Sequence, residues 1–166
     1  MNGGQIEDAL RVDRFASQYF VGVFAADELQ IKEFPGAYVV NTDESNQPGQ
    51  HWVAFFAIND TIECFDSFGS NPGEYSVHIA RWLEDTYQVV QCETLQSRES
   101  TICGQYCLFF HIMGCYIYTY EDVMSALTSN SFVNDRFVCK FANKCFKLKT
   151  QIKETYFSLP NEIKRL

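Results

Sequence analysis

HWVAFFAINDTIECFDSFG, residues 51–69, consists of two strand-forming runs, His51 to Ile58 and Ile62 to Phe68, with Asn59-Asp60 between them. Aromatic and β-branched side chains suit a pleated strand, and Asn and Asp tolerate the backbone of a tight turn, so the stretch predicts an antiparallel hairpin. Pairing Ile58 with Thr61 sets His51 opposite Phe68, with Asp66 two residues from Phe68 on the same face. Diagonal neighbours on one face of a sheet lie about 7–8 Å apart, within reach of a side-chain hydrogen bond. A regular hairpin therefore brings a carboxylate to a histidine. The same aspartate reads equally as a turn acid ahead of Ser67, Phe68 and Gly69.

Around the hairpin, strands and helices mix without regular alternation, which predicts an α+β class with a small mixed sheet packed against a central helix. Upstream, Gln5 to Tyr19 reads as a helix with Val12, Phe15, Ala16 and Tyr19 on one face. Phe20 to Phe24 is apolar, and its Gly22 suggests a tight turn or close packing. Ala37 to Val40 reads as a short buried strand, and Thr42 to Gln50, with Pro48-Gly49, as a loop. Downstream, Asn71-Pro72-Gly73 is a turn and Tyr75 to Tyr87 an amphipathic helix with Ile79, Trp82 and Leu83 inward. Gln88 to Leu95 reads as a strand and Thr101 to Tyr118 as the central apolar helix. Glu121 to Leu127 and Asn134 to Tyr156 read as helices, the last one basic on its outside. With 166 residues and no repeat, low-complexity run or linker, residues 1–166 are expected to form one domain.

Charge and cysteine content narrow the function classes. A net charge of -8 argues against general affinity for nucleic acid. The charge is uneven, however. Residues 136–166 carry eight basic side chains against Glu154 and Glu162, a balance of +6, while the preceding stretch holds five basic and nineteen acidic groups, a balance of -14. An acidic body with a basic tail still presents one face to a polyanion. The longest apolar stretch, Cys107 to Tyr120, is interrupted by His111, Gly114 and Thr119 and is too short to span a bilayer, so no membrane partner is expected. Met1 to Asp8 is polar and acidic, unlike a secretory signal. Seven cysteines without a C-x-x-C pair then read as reduced thiols in an intracellular, non-secreted setting. Their spacing and the three histidines give no usual zinc pattern, and no metal is expected.

Among those thiols, Cys103 lies where a loop enters the central helix, after Ser100 and Thr101 as candidate caps. The helix dipole there favours thiolate, and Gly104 would let a substrate backbone come close. The alternative for Cys103 is a small buried hydrophobe. His111 lies on the same helix, about 12 Å along at 1.5 Å per residue, and reads as a core histidine. His78 belongs to an amphipathic helix, exposed or partly packed. His51 opens a strand beside a polar loop, where catalytic groups are often found. Oriented by Asp66, it is the candidate base. Thiol attack on an amide also needs oxyanion donors. The Cys103 N–H is one, and the side-chain amide of Gln96, Gln91 or Gln105 is the second.

Taken in order, His51-Trp52, Phe65-Asp66-Ser67-Phe68-Gly69, Gln96 and Cys103-Gly104 follow Tyr19-Phe20-Val21-Gly22-Val23-Phe24, Phe34-Pro35-Gly36 and Val40-Asn41-Thr42. From about Tyr19 to Cys115 this resembles adenain, the adenovirus maturation protease, and its relatives in Maverick/Polinton-type elements and related viruses. The resemblance implies a papain-like site in permuted order and a cysteine endopeptidase. His51 would be the base, Asp66 the orienting acid, Cys103 the nucleophile and Gln96 the oxyanion side chain, with Trp52 lining the site. It also implies precursor proteins as substrates, cut typically after a glycine during particle maturation in a host nucleus or virus particle. The chemistry requires no cofactor, and a monomer is expected.

Two activators accompany that resemblance. One is a peptide disulfide-bonded to a cysteine upstream of the glutamine; Cys92 is the nearest, though the stretch from it to Cys103 is shorter here. The other is DNA, for which Lys140, Lys144 and Lys147, spaced near a helical turn on the basic C-terminal face, are the candidates. Adenain carries Glu in its Phe-Glu-x-Phe-Gly motif. Asp66 matches the SUMO-protease relatives instead, so a SUMO- or ubiquitin-like-protein isopeptidase is a second reading. That family usually places an acidic residue just before its Cys-Gly, where this chain has Ile102. An inactive protease-like binding domain is a third.

Overall fold

The hairpin forms in the expected register: Ile58 pairs with Thr61, Phe56 with Glu63 and Ala54 with Phe65. Asn59 takes the turn at a φ of 44°. In the computed structural model, which describes residues 1–30, 32–90, 93–116 and 119–146, both strands are shorter than expected. β3 runs Trp52–Ile58 and β4 Thr61–Phe65, which leaves His51 and Asp66 just beyond the open end of the ladder. β2 (Gly36–Asn41) pairs antiparallel with β3, while β1 (Phe20–Phe24) lies parallel to β2 and β5 (Tyr87–Val90) parallel to β4. The result is a five-stranded mixed sheet in the order β1-β2-β3-β4-β5, in an α+β fold. Phe20 to Phe24 is thus a strand and not a turn. Gly22 answers to close packing, since a Cβ there would lie 2.9 Å from the Phe24 ring.

The strands alternate as a sheet buried on both faces must. Val39, Ala54 and Phe65 pack into one core, Tyr38, Val40, Val53, Phe55 and Cys64 into the other. On the second face lies α2 (Val77–Leu83), which buries Ile79, Trp82 and Leu83. On the first face lies α3 (Cys103–Cys115), flanked by α1 (Gly3–Val12), α4 (Tyr120–Ser125) and α5 (Ser131–Phe146). Every residue of α3 but Gly114 is buried. Phe65 stacks on Phe110 with centroids 4.8 Å apart, and the His111 Nε2–H donates to the Tyr38 carbonyl at 2.9 Å, so the sheet and the central helix are joined by packing and by a hydrogen bond. The expectation of a core histidine at position 111 holds.

Element ends differ from expectation for local reasons. The helix expected over Gln5–Tyr19 stops at Val12, because the Asp13 carboxylate accepts the N–H groups of Phe15 and Ala16 at 3.0 and 2.8 Å and starts a separate 3₁₀ turn, Ala16–Gln18. The buried face of α1 is Ile6, Ala9 and Leu10, and Val12 is 78% exposed. Tyr75 precedes α2, which starts after Ser76 as its cap, and Tyr87 already belongs to β5. β5 ends at Val90, short of the expected Leu95. The last helix begins at Ser131, and its expected continuation to Tyr156 lies outside the described residues beyond Phe146. Among the described residues no helix is long and apolar enough to cross a membrane.

His111 gives the fold a testable pH dependence. Its Nδ1 is buried with no hydrogen-bond partner among the described residues, and burial pushes the imidazole down to about 4 against the opposing bond to Tyr38. An unfolded histidine titrates near 6.5, so on acidification the unfolded chain takes the proton first. This contribution to stability is complete above pH ~6.5 and is lost as pH falls toward 4, by roughly 3 kcal/mol at about 1.36 kcal/mol per pKa unit. Urea unfolding across that range is expected to show a loss smaller by this amount in His111→Phe; equal losses in both proteins would refute it.

Candidate active site

The turn after β4 builds the acid. Gly69 adopts a φ of 76°, a left-handed conformation, and its N–H closes back on the Asp66 carbonyl at 2.9 Å. The turn aims two further N–H groups at the carboxylate: Phe68 at Oδ1 and Ser70 at Oδ2, each 3.0 Å. The Tyr75 hydroxyl donates to Oδ2 at 2.9 Å, and the His51 Nε2–H donates to Oδ1 at 2.6 Å. Asp66 is therefore both a turn acid and the partner of His51. Burial raises its pKa, but His51 and the Phe68 N–H, with Tyr75, outweigh that and hold the carboxyl below its usual value.

His51 is fixed from several sides. Its carbonyl accepts the Thr42 N–H at 2.9 Å, and its ring lies between Phe68 (centroids 4.9 Å) and Tyr75 (5.6 Å). With Nε2 committed to an acceptor-only carboxylate, Nδ1 is the nitrogen left for the neighbouring Cys103 thiol. Burial alone would lower the histidine pKa; Asp66 and Cys103 instead raise it to about 9. Burial alone would raise the thiol; His51, aided by the backbone N–H groups of Trp52 and Gly104, lowers it. Both shifts run in the direction that favours the proton on His51 and a thiolate at Cys103. The other thiols go the opposite way: burial pushes Cys64 and Cys115 up to about 12, Cys139 to about 11, and Cys107 well above its usual value.

α3 starts at Cys103, two residues later than the expected Thr101, and Ser100 and Thr101 do not cap it. Ile102 occupies the cap position, and no side chain caps the helix. The Gln105 N–H turns back to the Ile102 carbonyl at 2.9 Å, which leaves the Cys103 and Gly104 N–H groups at the helix start without a side-chain cap. Gln96 lies in the loop before α3 and is buried. Its Oε1 accepts from the Ser67 hydroxyl at 2.7 Å, and its Nε2 donates to the Ser100 carbonyl at 2.7 Å. Of its two rivals, Gln91 lies outside the described residues, and Gln105 is buried on α3 with Oε1 unpartnered among them. The loop is clamped from α5: Asn134 Nδ2 donates to the Leu95 carbonyl at 3.1 Å, and the Asp135 carboxylate accepts from the Ser97 and Tyr106 hydroxyls.

The remaining expected residues divide. The Trp52 indole lines a groove of about 400 Å³ with Val23, Pro48 and Gly49, and its Nε1–H donates to the Met1 carbonyl at 3.2 Å. Gly104 is corrected: a Cβ there would meet Ile6 Cδ1 at 3.1 Å and Met1 Cβ at 3.2 Å, so its missing side chain makes room for α1 and its leading residue and not for a substrate. Lys140 and Lys144 stand one turn apart on α5, half-buried and exposed respectively. Lys147 and Cys92 lie outside the described residues. Sequence reading missed Ser67, Tyr75, Asn134 and Asp135. A buried Asn-Asp pair beside the apolar residues of an amphipathic helix, and a serine adjoining the candidate acid, were the available signals.

A thiol at a helix start beside a carboxylate-held imidazole is a combination that thiol hydrolases use. The fold is that of the crystal structure of the African swine fever virus pS273R protease, which superposes with a TM-score of 0.55 at 19% identity over 81% of this chain and 63% of that one. In sequence, the chain is 36% identical over 87 residues to the cysteine protease S273R of African swine fever virus, an alignment covering 43% of this chain and 31% of that protein. The chain thus spans about a third of that curated relative's length. No family profile matches.

The ion pair predicts the pH dependence of alkylation. Iodoacetamide reacts with thiolate, and an ordinary thiol of pKa about 8.5 is mostly protonated at pH 7. The labelling rate of Cys103, followed by peptide mapping, is expected to exceed that of an ordinary thiol at pH 7 and to rise less steeply between pH 7 and about 8.5. In His51→Ala it should be slower at pH 7 and climb with pH like an ordinary thiol. Identical profiles would rule out the pair.

Proposed function

We propose that this chain is a cysteine endopeptidase of the adenain type, cutting precursor proteins of a virus or virus-like mobile element at glycine-containing sites. One observation carries the reading: His51 links a fully buried, four-donor carboxylate to a thiol at a helix start, and Gln96 is anchored in the loop that leads into that helix. The partial sequence likeness to a viral cysteine protease supports the same chemistry and a viral setting.

The reaction follows from the protonation states. The Cys103 thiolate attacks the scissile carbonyl carbon and forms a C–S bond, moving the π electrons onto oxygen. The Cys103 N–H and the Gln96 amide hold that oxyanion. Protonated His51, with Asp66 keeping its other nitrogen committed, gives the Nδ1 proton to the leaving amine as the C–N bond breaks. Neutral His51 then takes a proton from water, which attacks the thioester and releases the acid and the thiolate. A pKa of about 9 keeps the imidazole charged for the leaving-group step.

A SUMO- or ubiquitin-like-protein isopeptidase is the second reading, favoured by Asp66 in Phe-Asp-Ser-Phe-Gly. Activation by DNA is included in the proposal because Lys140 and Lys144 lie one turn apart on α5, the helix that clamps the Gln96 loop. The test compares a fluorogenic glycine-containing peptide with a ubiquitin-like fusion, with and without DNA at two salt concentrations. Peptide turnover is expected, lost in Cys103→Ala and lowered about 10²–10³-fold in Gln96→Ala. Stimulation by DNA should fade with salt if phosphates are contacted. Turnover of the fusion alone would select the isopeptidase, and turnover of neither, with Cys103 no more reactive than an ordinary thiol, would leave a binding domain.

A further inference from the structure

We infer that Ser67 is a positioning residue for Gln96: its hydroxyl fixes the plane and direction of the buried amide, so that one Nε2 hydrogen stays available to the oxyanion. The inference rests on the protease reading above and names a residue through which that site is tuned.

The two ends of a glutamine amide are nearly the same size, so shape does not select an orientation and hydrogen bonds must. Gln96 is 1% exposed, which denies it water, and each end has a fixed protein partner. A backbone carbonyl only accepts, so Ser100 calls for the nitrogen; the Ser67 hydroxyl donates to the oxygen at the other end. In the reversed orientation Oε1 would face the Ser100 carbonyl, acceptor against acceptor. The NH₂ group has two hydrogens and Ser100 takes one. Ser100 belongs to the segment that leads into α3, three residues before Cys103, so the anchor of the nitrogen is part of that approach. Two anchors at opposite ends hold the amide plane, whereas with Ser100 alone it pivots about a single bond.

Ser67 also holds the main chain of this loop, since its carbonyl accepts the N–H groups of both Leu95 and Gln96 at 2.9 Å. It directly follows Asp66, inside the turn that the Gly69 N–H closes onto the Asp66 carbonyl, and the two side chains take separate partners. Asp66 turns to His51 and Ser67 to Gln96. One dipeptide therefore orients both the base and the oxyanion donor. Asn134 and Asp135 grip Leu95 and Ser97 from α5, so the loop resists shifting to replace a lost Ser67 hydroxyl.

A double-mutant cycle tests this with a glycine-containing peptide on wild type, Ser67→Ala, Gln96→Ala and the double variant, beside iodoacetamide labelling of Cys103. Alkylation displaces iodide from a saturated carbon and forms no oxyanion, so it reads the Cys103–His51 pair and the fold but not Gln96. Ser67→Ala is expected to lower kcat about tenfold or more, below the 10²–10³ loss of removing a donor outright, with KM little changed. Its alkylation rate should stay within about twofold of wild type, and on the Gln96→Ala background the same change should cost nothing further. Equal losses on both backgrounds, a matching loss in alkylation, or an unchanged kcat would each overturn the inference. Should Ser67→Ala not fold, Ser67→Cys, near in size and a weak donor, carries the same cycle. A wild type that turns over no peptide overturns the protease reading itself, and this inference with it.

Discussion

The hydrogen bond from His51 to Asp66, 2.6 Å long and buried, sets the terms for everything around it. A carboxylate without water survives only if donors replace the water, and Asp66 has four. Once held as an anion, it fixes the imidazole tautomer, keeps the second proton on the ring and makes a thiolate at Cys103 tolerable. His111 is the internal control. It is the same residue type, also buried and more deeply so, but its partner is a carbonyl, and its pKa moves down to about 4 where that of His51 moves up to about 9. The difference between an inert core histidine and a charged one is a neighbouring carboxylate and thiol.

The scaffold supplies these groups from places that have little freedom to move. His51 and Asp66 each lie one residue beyond an end of their strand, at the open end of the β3–β4 hairpin. Cys103 opens α3, whose body fills the larger core, so its thiol is held by the packing behind it. Gln96 hangs in a loop tied to Ser67 on one side and to α5 on the other. Three separate segments meet there, and each is anchored by burial or by hydrogen bonds that do not involve a substrate.

Much of this was legible in the sequence where local rules dominate. The hairpin register was readable because Asn59-Asp60 marks the turn and pairing then follows by counting. The strands end early because Asp66 draws the Phe68 and Ser70 N–H groups into a turn, yet the His51–Asp66 contact survives the loss of ladder. Reading failed where one side chain redirected the backbone, as Asp13 does after α1, or where a small residue admits something other than the expected guest, as Gly104 admits Ile6 and Met1. Tyr75, Ser67 and the Asn134-Asp135 pair left no periodic trace, since their partners are 9 to 39 residues away and brought near only by the fold.

The buried thiols described above have a consequence of their own. Cys64, Cys107, Cys115 and Cys139 are chemically the same group as Cys103 and, like it, buried, but with no imidazole beside them among the described residues the core holds them in the protonated form. Packing therefore acts on these four as a protecting group acts in synthesis. Selectivity among the thiols is written in where each side chain is stored, and any loosening of the core would erase it before it erased the nucleophile.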